Sequence, residues 1–296
     1  MRALRNVVFI SLFLVMLGFG STAFAGQLSF TDFEGFITGI SVDGQGNWKV
    51  DTNVGFDERV VDDTTGNIVW RVSNAVTSEA FGNQPFAPCP GGIPADGIDA
   101  NNSIDGGNLE AVAGDPDSFA GETSTGAALR RFYAEFNFKS ATGSAQPGLR
   151  VTVSADDCEG ARHSFIALED DGHGIHVITF DNNRAGHFPG PITIAQGLSY
   201  TEWHTFAVEV IFRDGEANDI VRYYVDGKFV QQGGSWEQFY RNFQADLHPD
   251  GVPAQTLLFR LSPPAVLDVS GGGYFIDNVL TMVSHSLDLP QEPGRK

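Results

Sequence analysis

The sequence predicts an all-β fold, an antiparallel β-sandwich of the jelly-roll type. Several segments alternate apolar and polar residues with a period of two, and short turn sequences separate them. This period places successive side chains on opposite faces of a strand. Many strands joined by regularly spaced turns are typical of two packed sheets. Helix is expected to be scarce, limited to short turns such as residues 235–245.

Three of the predicted strands lie within residues 200–232, around which the rest of the chain is organised. Residues 203–212 alternate, and residues 220–225 form a second apolar strand. Asp226 and Gly227 then supply the positive φ that a tight hairpin needs, so the chain returns into Phe229 and Val230. These segments predict three adjacent antiparallel strands.

The cleanest alternation runs through residues 130–139. One face carries Phe132, Ala134, Phe136 and Phe138, and the other face carries Arg131, Tyr133, Glu135, Asn137 and Lys139. We expect the apolar face to be buried. The polar face either meets plain solvent or lines a ligand cleft.

Residues 203–210, W-H-x-F-x-V-x-V, and residues 223–228, Y-Y-V-D-G-K, carry a resemblance to a known superfamily. The pattern resembles the concanavalin A-like jelly rolls, which include laminin-G modules, pentraxins and many secreted glycan-binding and glycan-cleaving proteins. The resemblance implies one sandwich domain over residues 26–286. It also implies that the partner is an extracellular polysaccharide, bound on a concave sheet face.

The two ends of this domain carry a second resemblance. Residues 28–35 and residues 273–279 are similar to the first and last strands of jelly-roll carbohydrate-binding modules. That similarity implies that the end strands lie side by side and that Glu34 and Asp277 hold a structural calcium ion. Carboxylate oxygens are the ligands that calcium prefers. Asp277 could equally be an ordinary edge or turn aspartate. Residues 99–110 match a calcium loop only weakly, and an Asx-turn loop is favoured there.

Sugar recognition needs flat aromatic rings and planar hydrogen-bonding groups on a rigid surface. Any one candidate is more often a plain exposed or cross-strand-paired residue, so the set is more informative than its members. Trp48, Trp70 and Trp203 are instead expected in the core. The substrate-binding candidates are Arg131, Tyr133, Glu135, Asn137, Arg222, Tyr224 and Trp236.

Catalysis would draw on Tyr133, Glu135 and His176. The jelly-roll glucanases carry a Glu-x-Asp-x-x-Glu strand, and the nearest fragment here has Asn137 in place of the aspartate. A polysaccharide lyase would instead use a tyrosine or histidine as base and acid, with Arg or Asn neutralising a uronate. Carbohydrate binding is therefore the leading interpretation. Glycan cleavage, by a lyase more than by a hydrolase, comes second, and a structural envelope protein comes third.

Residues 1–25 have the pattern of a secretory signal peptide. Arg2 and Arg5 precede an apolar run over residues 7–19, and small residues occupy positions 23 and 25. We therefore expect a secreted or periplasmic protein with a polar C-terminal tail at residues 287–296. No later segment has the length and apolar character of a membrane span.

The charge balance and the cysteines bound the function further. The formal charge is −19, which opposes binding to nucleic acid or to anionic membranes. Cys89 and Cys158 are the two cysteines. In an exported protein two cysteines are more often paired than free, but the sequence leaves their pairing open.

Overall fold

A computed structural model describes residues 26–46, 48–50, 56–76, 103–106, 120–121, 129–157, 162–243, 252–260 and 272–284. The predicted signal peptide, both cysteines, the C-terminal tail and most of residues 99–110 lie outside these ranges. The strands, in chain order, are β1 (Gly26–Thr31), β2 (Lys49–Val50), β3 (Phe56–Asp62), β4 (Ile68–Val76), β5 (Ser103–Gly106), β6 (Arg131–Ser140), β7 (Arg150–Asp156), β8 (Ile166–Asp170), β9 (Ile175–Phe180), β10 (Pro191–Leu198), β11 (His204–Ile211), β12 (Ile220–Val225), β13 (Lys228–Gly233), β14 (Thr256–Arg260) and β15 (Tyr274–Ser284).

The strands form two antiparallel sheets, and the chain crosses between them repeatedly. The first sheet has the order β13-β12-β11-β6-β15-β4-β3, with β1 also paired to β15. The second sheet has the order β10-β9-β8-β7-β14-β5-β2. This architecture confirms the predicted sandwich of jelly-roll type. Helix α1 (Glu237–Phe243) falls inside the predicted helical segment.

Aromatic rings from the two sheets meet in the core. Phe136 of β6 and Trp70 of β4 each pack against Phe259 of β14 with ring centroids 5.2 Å apart. Trp48 packs on Trp70 at the same separation. All four side chains are buried. The apolar face of β6 therefore lies between the sheets, as its alternation predicted.

Two turns and pairings anticipated from the sequence are present. Asp226 and Gly227 have φ angles of 51° and 70°, so the β12–β13 hairpin uses the tight turn that the Asp-Gly pair predicted. Strands β1 and β15 pair from Gly26↔Ser284 to Thr31↔Val279, which confirms that the two end strands lie side by side. Within the described part of the chain, no helix has the length and apolar character needed to cross a membrane.

Candidate functional site

The face of the first sheet that points away from the core, here termed the outer face, carries the predicted polar row. Strand register places Tyr133, Glu209, Arg222 and Gln232 in one line across β6, β11, β12 and β13. The adjacent line contains Glu135, Ala207, Tyr224 and Phe229. Side chains two residues apart on a strand share a face, and on β13 a register shift brings Phe229 onto the face of Gln232, so these two lines form one continuous surface.

Glu209 is the centre of this surface. Its Oε1 accepts a hydrogen bond from Arg131 Nε at 2.6 Å. Its Oε2 accepts from Arg222 Nη1 and from the Tyr224 hydroxyl, each at 3.3 Å. We name these four residues the Glu209 network. The carboxylate is only 1% exposed, so two guanidinium groups and a hydroxyl replace the water it has lost.

Tyr133 and Glu135 form a second pair beside this network. The Tyr133 hydroxyl donates to Glu135 Oε2 at 2.6 Å, and Arg131 Cζ lies 5.4 Å from the centre of the Tyr133 ring. Burial, followed by the charge of Glu135, raises the pKa of Tyr133 well above its usual range. Tyr133 is therefore a protonated hydrogen-bond donor in this arrangement. Burial also raises the pKa of Tyr224.

Asn137 extends the outer face further along β6. Its Oδ1 accepts a hydrogen bond from Thr205 Oγ1 at 2.9 Å. Beyond it, Lys139 Nζ lies 5.9 Å from the Trp203 ring centroid. The prediction that Trp203 belongs to the core is wrong. Trp203 lies one residue before β11 on the same side as Thr205, so its partly buried ring belongs to the outer face.

The structure corrects the expected role of Arg131. Its place on β6 is as predicted, but the residue is fully buried, because its guanidinium pairs with Glu209 beneath the exposed side chains. Arg131 therefore orients the surface, and Arg222, with a side chain 35% exposed, is the arginine that solvent reaches.

Two candidates lie away from this surface. His176 is on β9 of the second sheet, where Ile175 and Val177 on either side of it point into the core. Its Nε2 lies 3.3 Å from Asp171 Oδ1. The catalytic set Tyr133, Glu135 and His176 is therefore not assembled, because the packed core separates the two outward-facing sides of the sandwich.

Trp236 also lies apart from the outer face. Its Nε1 donates to the Phe180 carbonyl oxygen at 2.9 Å, and its ring packs against Phe165 and Phe188. Phe180 is the last residue of β9 in the second sheet, so the Trp236 ring lies beside that sheet.

Sequence reasoning missed Glu209, Gln232 and Phe229 as members of the site. The alternation of β11 already placed Glu209 on the side opposite Phe206 and Val208. The sequence does not show that β11 pairs with both β6 and β12. This pairing makes Glu209 the neighbour of Tyr133 and Arg222.

The two calcium candidates, one from each end of the domain sequence, lie near each other in the fold. Glu34 Oε1 accepts a hydrogen bond from the Ile68 amide at 3.3 Å, and Asp277 Oδ2 accepts from Asn67 Nδ2 at 3.0 Å. Burial is the main cause that raises the pKa of Asp277 to about 6, and the charges of Asp32 and Glu34 add to it.

The donor atoms at this place suit calcium in kind. They are oxygens of carboxylates and of a nearby side-chain amide, which a hard cation prefers. However, both Asp277 oxygens already accept hydrogen bonds, and the described residues include no cluster of three or more His, Cys, Asp or Glu arranged to hold a metal. The fit is therefore partial.

Comparison with known proteins adds likenesses of fold only. No protein-family model matches the chain, and no curated protein matches it. Among solved structures, an alginate lyase is 11% identical with a TM-score of 0.44, covering 86% of this chain and 97% of its own.

Two further structures are similarly distant. An endo-β-1,4-glucuronan lyase from the fungus Trichoderma reesei is 9% identical with a TM-score of 0.37, covering 79% of this chain and 93% of its own. A basic winged bean lectin is 12% identical with a TM-score of 0.39, covering 87% and 99%. At this distance the likenesses assign no activity to the chain, so function is argued from the outer face itself.

Proposed function

We propose that this protein is exported and binds an extracellular polysaccharide through the outer face of the first sheet. The observation that carries the proposal is the Glu209 network. The two strands that flank β11 contribute three side chains, Arg131 from β6 and Arg222 and Tyr224 from β12, to the one buried carboxylate of Glu209. The pattern of residues 1–25 supports a secreted or periplasmic location.

The network supports binding because it holds exposed groups in fixed positions. The buried Arg131–Glu209 pair leaves Glu209 Oε2 to orient Arg222 and Tyr224 at the surface. Groups held in place before a ligand arrives lose less conformational entropy when it binds. A guanidinium, a phenol hydroxyl and the nearby carboxylate of Glu135 provide both donors and acceptors for sugar hydroxyls.

An aromatic ring completes the set. Phe229 is 57% exposed and its ring centroid lies 5.9 Å from that of Tyr224. Exposed aromatic faces beside planar polar groups can stack on the apolar face of a pyranose. Phe229 and Tyr224 therefore supply a stacking platform next to the Glu209 network.

Glycan cleavage by a lyase is the second candidate. The observation in its favour is the bond between the Tyr133 hydroxyl and Glu135, since a carboxylate beside a phenol can share its proton. Against it, burial raises the pKa of Tyr133, and a general base works best when its pKa lies near the working pH. Binding is accordingly favoured over cleavage.

The test is a panel of neutral and acidic polysaccharides run against the mature chain. Retardation in affinity gels is measured together with absorbance of unsaturated uronates and with new reducing ends. We expect retardation without products. Unsaturated products would establish the lyase, and the absence of both retardation and products would overturn the carbohydrate proposal.

Variants locate the site. Arg222→Ala should weaken polysaccharide binding by about tenfold or more, because a hydrogen bond to a charged group contributes roughly 1.5 to 3 kcal/mol, and Asn137→Ala should weaken it by about fivefold, because a neutral hydrogen bond contributes about 1 kcal/mol. His176→Ala on the second sheet is the matched control and should behave as wild type. Equal binding by all three variants would show that the outer face is not the site.

A further inference from the structure

A cavity of about 540 Å³ lies at the rim of the sandwich, beyond the end of the β12–β13 hairpin. Three separate segments line it, residues 182–184, residues 213–220 in part, and residues 232–238 in part. Small-molecule sites commonly enclose about 300 to 1,000 Å³. Five side-chain amides contribute to its lining, from Asn182, Asn183, Asn218, Gln232 and Gln238.

The walls of this rim cavity are fixed by their own hydrogen bonds. Asp219 accepts from the Arg213 amide at 2.8 Å and from Ser235 Oγ at 2.9 Å, which joins two of the three segments. Asp181 Oδ1 accepts from the Gly234 amide at 3.0 Å, which joins the third. A Cβ at Gly233 would lie 2.5 Å from Asp181 Oδ1, so a larger residue here would push the Asp181 carboxylate from this position. The cavity is therefore preformed.

Two amides in the lining lack the partners that buried polar groups normally have. Asn182 is 5% exposed, and among the described residues neither its Oδ1 nor its Nδ2 has a hydrogen-bond partner. Gln238 is 7% exposed; its Nε2 donates to Asn242 Oδ1 at 2.8 Å, but its Oε1 has no partner within the same ranges. Native proteins rarely leave such groups unsatisfied. Both residues line the cavity, so a bound molecule with donors and acceptors would satisfy these buried atoms once the two amides turn towards it.

We propose that the rim cavity binds a single sugar ring. Neighbouring ring hydroxyls each donate and accept, and they match an amide that offers one donor group and one acceptor group side by side. Of the described residues that line the cavity none is aromatic, and the aliphatic ones are Ala217 and Ile220. A ligand held there must be recognised by hydrogen bonds around its edge. This requirement suits a polyhydroxylated molecule and does not suit an aromatic or apolar one.

The cavity adjoins the outer face, so the sugar ring in the cavity can belong to a glycan that is bound on that face. Gln232 lines the cavity, and its Oε1 accepts from Arg222 Nε at 3.4 Å. Ile220 also lines it and lies two residues from Arg222 on β12. The ring would thus be the end or a branch of a glycan that lies on the outer face. This connection rests on the proposed function, whereas the binding of a free monosaccharide does not.

The experiment titrates the mature protein with a panel of free neutral and acidic monosaccharides and follows binding by saturation-transfer NMR. We expect at least one to bind, and we expect Asn182→Ala to weaken it about tenfold or more. The melting temperature of Asn182→Ala should not fall, since the change removes two unpaired buried groups. Gln238→Met, which keeps the side-chain volume, is the second variant and should weaken binding to a similar extent. His176→Ala should bind as wild type.

The outcomes separate this proposal from the previous one. The cavity proposal is overturned if no monosaccharide binds the wild type, or if Asn182→Ala and Gln238→Met both bind as wild type does. Polysaccharide retardation without monosaccharide binding would overturn the cavity alone. Monosaccharide binding that Asn182→Ala abolishes, without any retardation, would support the cavity and overturn the outer face.

Discussion

At the scale of residues, Arg131 and Arg222 show that two members of one ion-pair network can have different roles when they differ in burial. Both guanidinium groups contact the Glu209 carboxylate, but Arg131 is fully buried and Arg222 is partly exposed. Removing one partner of a buried pair leaves an uncompensated charge, whereas exposed pairs contribute little to stability. The same carboxylate therefore gives one arginine a structural role and leaves the other available to a ligand.

The first prediction follows from this difference. Arg131→Ala should lower the free energy of unfolding by about 3 to 5 kcal/mol, and Arg222→Ala should lower it by about 1 kcal/mol or less. Urea unfolding of the two variants measures both values. Equal destabilisation by the two changes would mean that Arg131 is not buried as described.

Glu58 is a second buried carboxyl group, and it is not part of the Glu209 network. It accepts hydrogen bonds from Trp70 Nε1 at 2.8 Å, from the Val42 amide at 3.2 Å and from Ser41 Oγ. Burial nevertheless raises its pKa from 4.5 to about 7. The ionised form is therefore costly in the folded chain, even with three donors around it.

The second prediction concerns the pH dependence of stability. Between pH 4.5 and about 7 the folded chain keeps a proton on Glu58 that the unfolded chain has lost. The free energy of unfolding should therefore fall as the pH rises through this window, by about 3 kcal/mol in total. Glu58→Gln should remove the share of this fall that Glu58 causes and leave the share of Asp277, because the glutamine carbonyl oxygen can still accept from Trp70 and Val42 while its amide donates to Ser41. Identical pH profiles for wild type and variant would contradict the assignment.

Among the elements, β15 connects the two ends of the domain. Its first residues pair with β4 and its last residues with β1, and a bulge between Asp277 and Leu280 separates the two halves. Asn278 has a φ of 51°, which asparagine tolerates better than most residues. The bulge turns the Asp277 carboxylate towards Asn67 and the loop that holds Glu34.

The third prediction belongs to this bulge. We propose that Glu34 and Asp277 hold a calcium ion there, together with backbone carbonyl oxygens. Calcium that binds only the folded chain stabilises it in proportion to occupancy, so EDTA should lower the melting temperature by several degrees. The effect should shrink as the pH falls, because protonation of the Asp277 carboxyl, whose pKa is raised by burial, competes with calcium binding.

Asp277→Asn should abolish the response to EDTA, and Asp214→Asn, at an exposed carboxylate paired with Arg130, should leave it intact. An unchanged melting curve in EDTA, with no calcium found by elemental analysis of the purified protein, would exclude the site.

For the whole molecule, the chain has 37 acidic and 18 basic residues, and this negative net charge determines the long-range electrostatic field. Such a field repels polyanions until salt screens it, and the screening length falls from about 30 Å at 0.01 M to about 3 Å at 1 M salt. The cations of the outer face, such as Arg222, act only at short range. The net negative field therefore disfavours an acidic polysaccharide, whereas the local cations of the outer face favour one.

The fourth prediction follows from that field. Binding of a neutral polysaccharide should change little with ionic strength, and binding of an acidic one should strengthen as salt rises from about 0.02 M to about 0.2 M. Affinity electrophoresis or calorimetry across this range measures both. A loss of affinity for the acidic polymer with rising salt would show that the local arginines dominate the field.

The sequence alone determined the local structure of this protein. The period of two assigned Phe136 to the core and Tyr133 to the opposite face, Asp226 and Gly227 set the hairpin turn, and the helix was placed within residues 235–245. These features depend on neighbouring residues of the chain, so a linear pattern contains them.

The tertiary structure decided which strands and segments meet. It joined β6 to β11 and so buried Arg131 against Glu209, put His176 on the opposite sheet, and brought residues 182–184 to residues 232–238 at the rim cavity. Alternation says which face a side chain occupies, but not which strand lies beside it. Strand pairing is set by contacts between distant parts of the chain, and the site depends on those contacts.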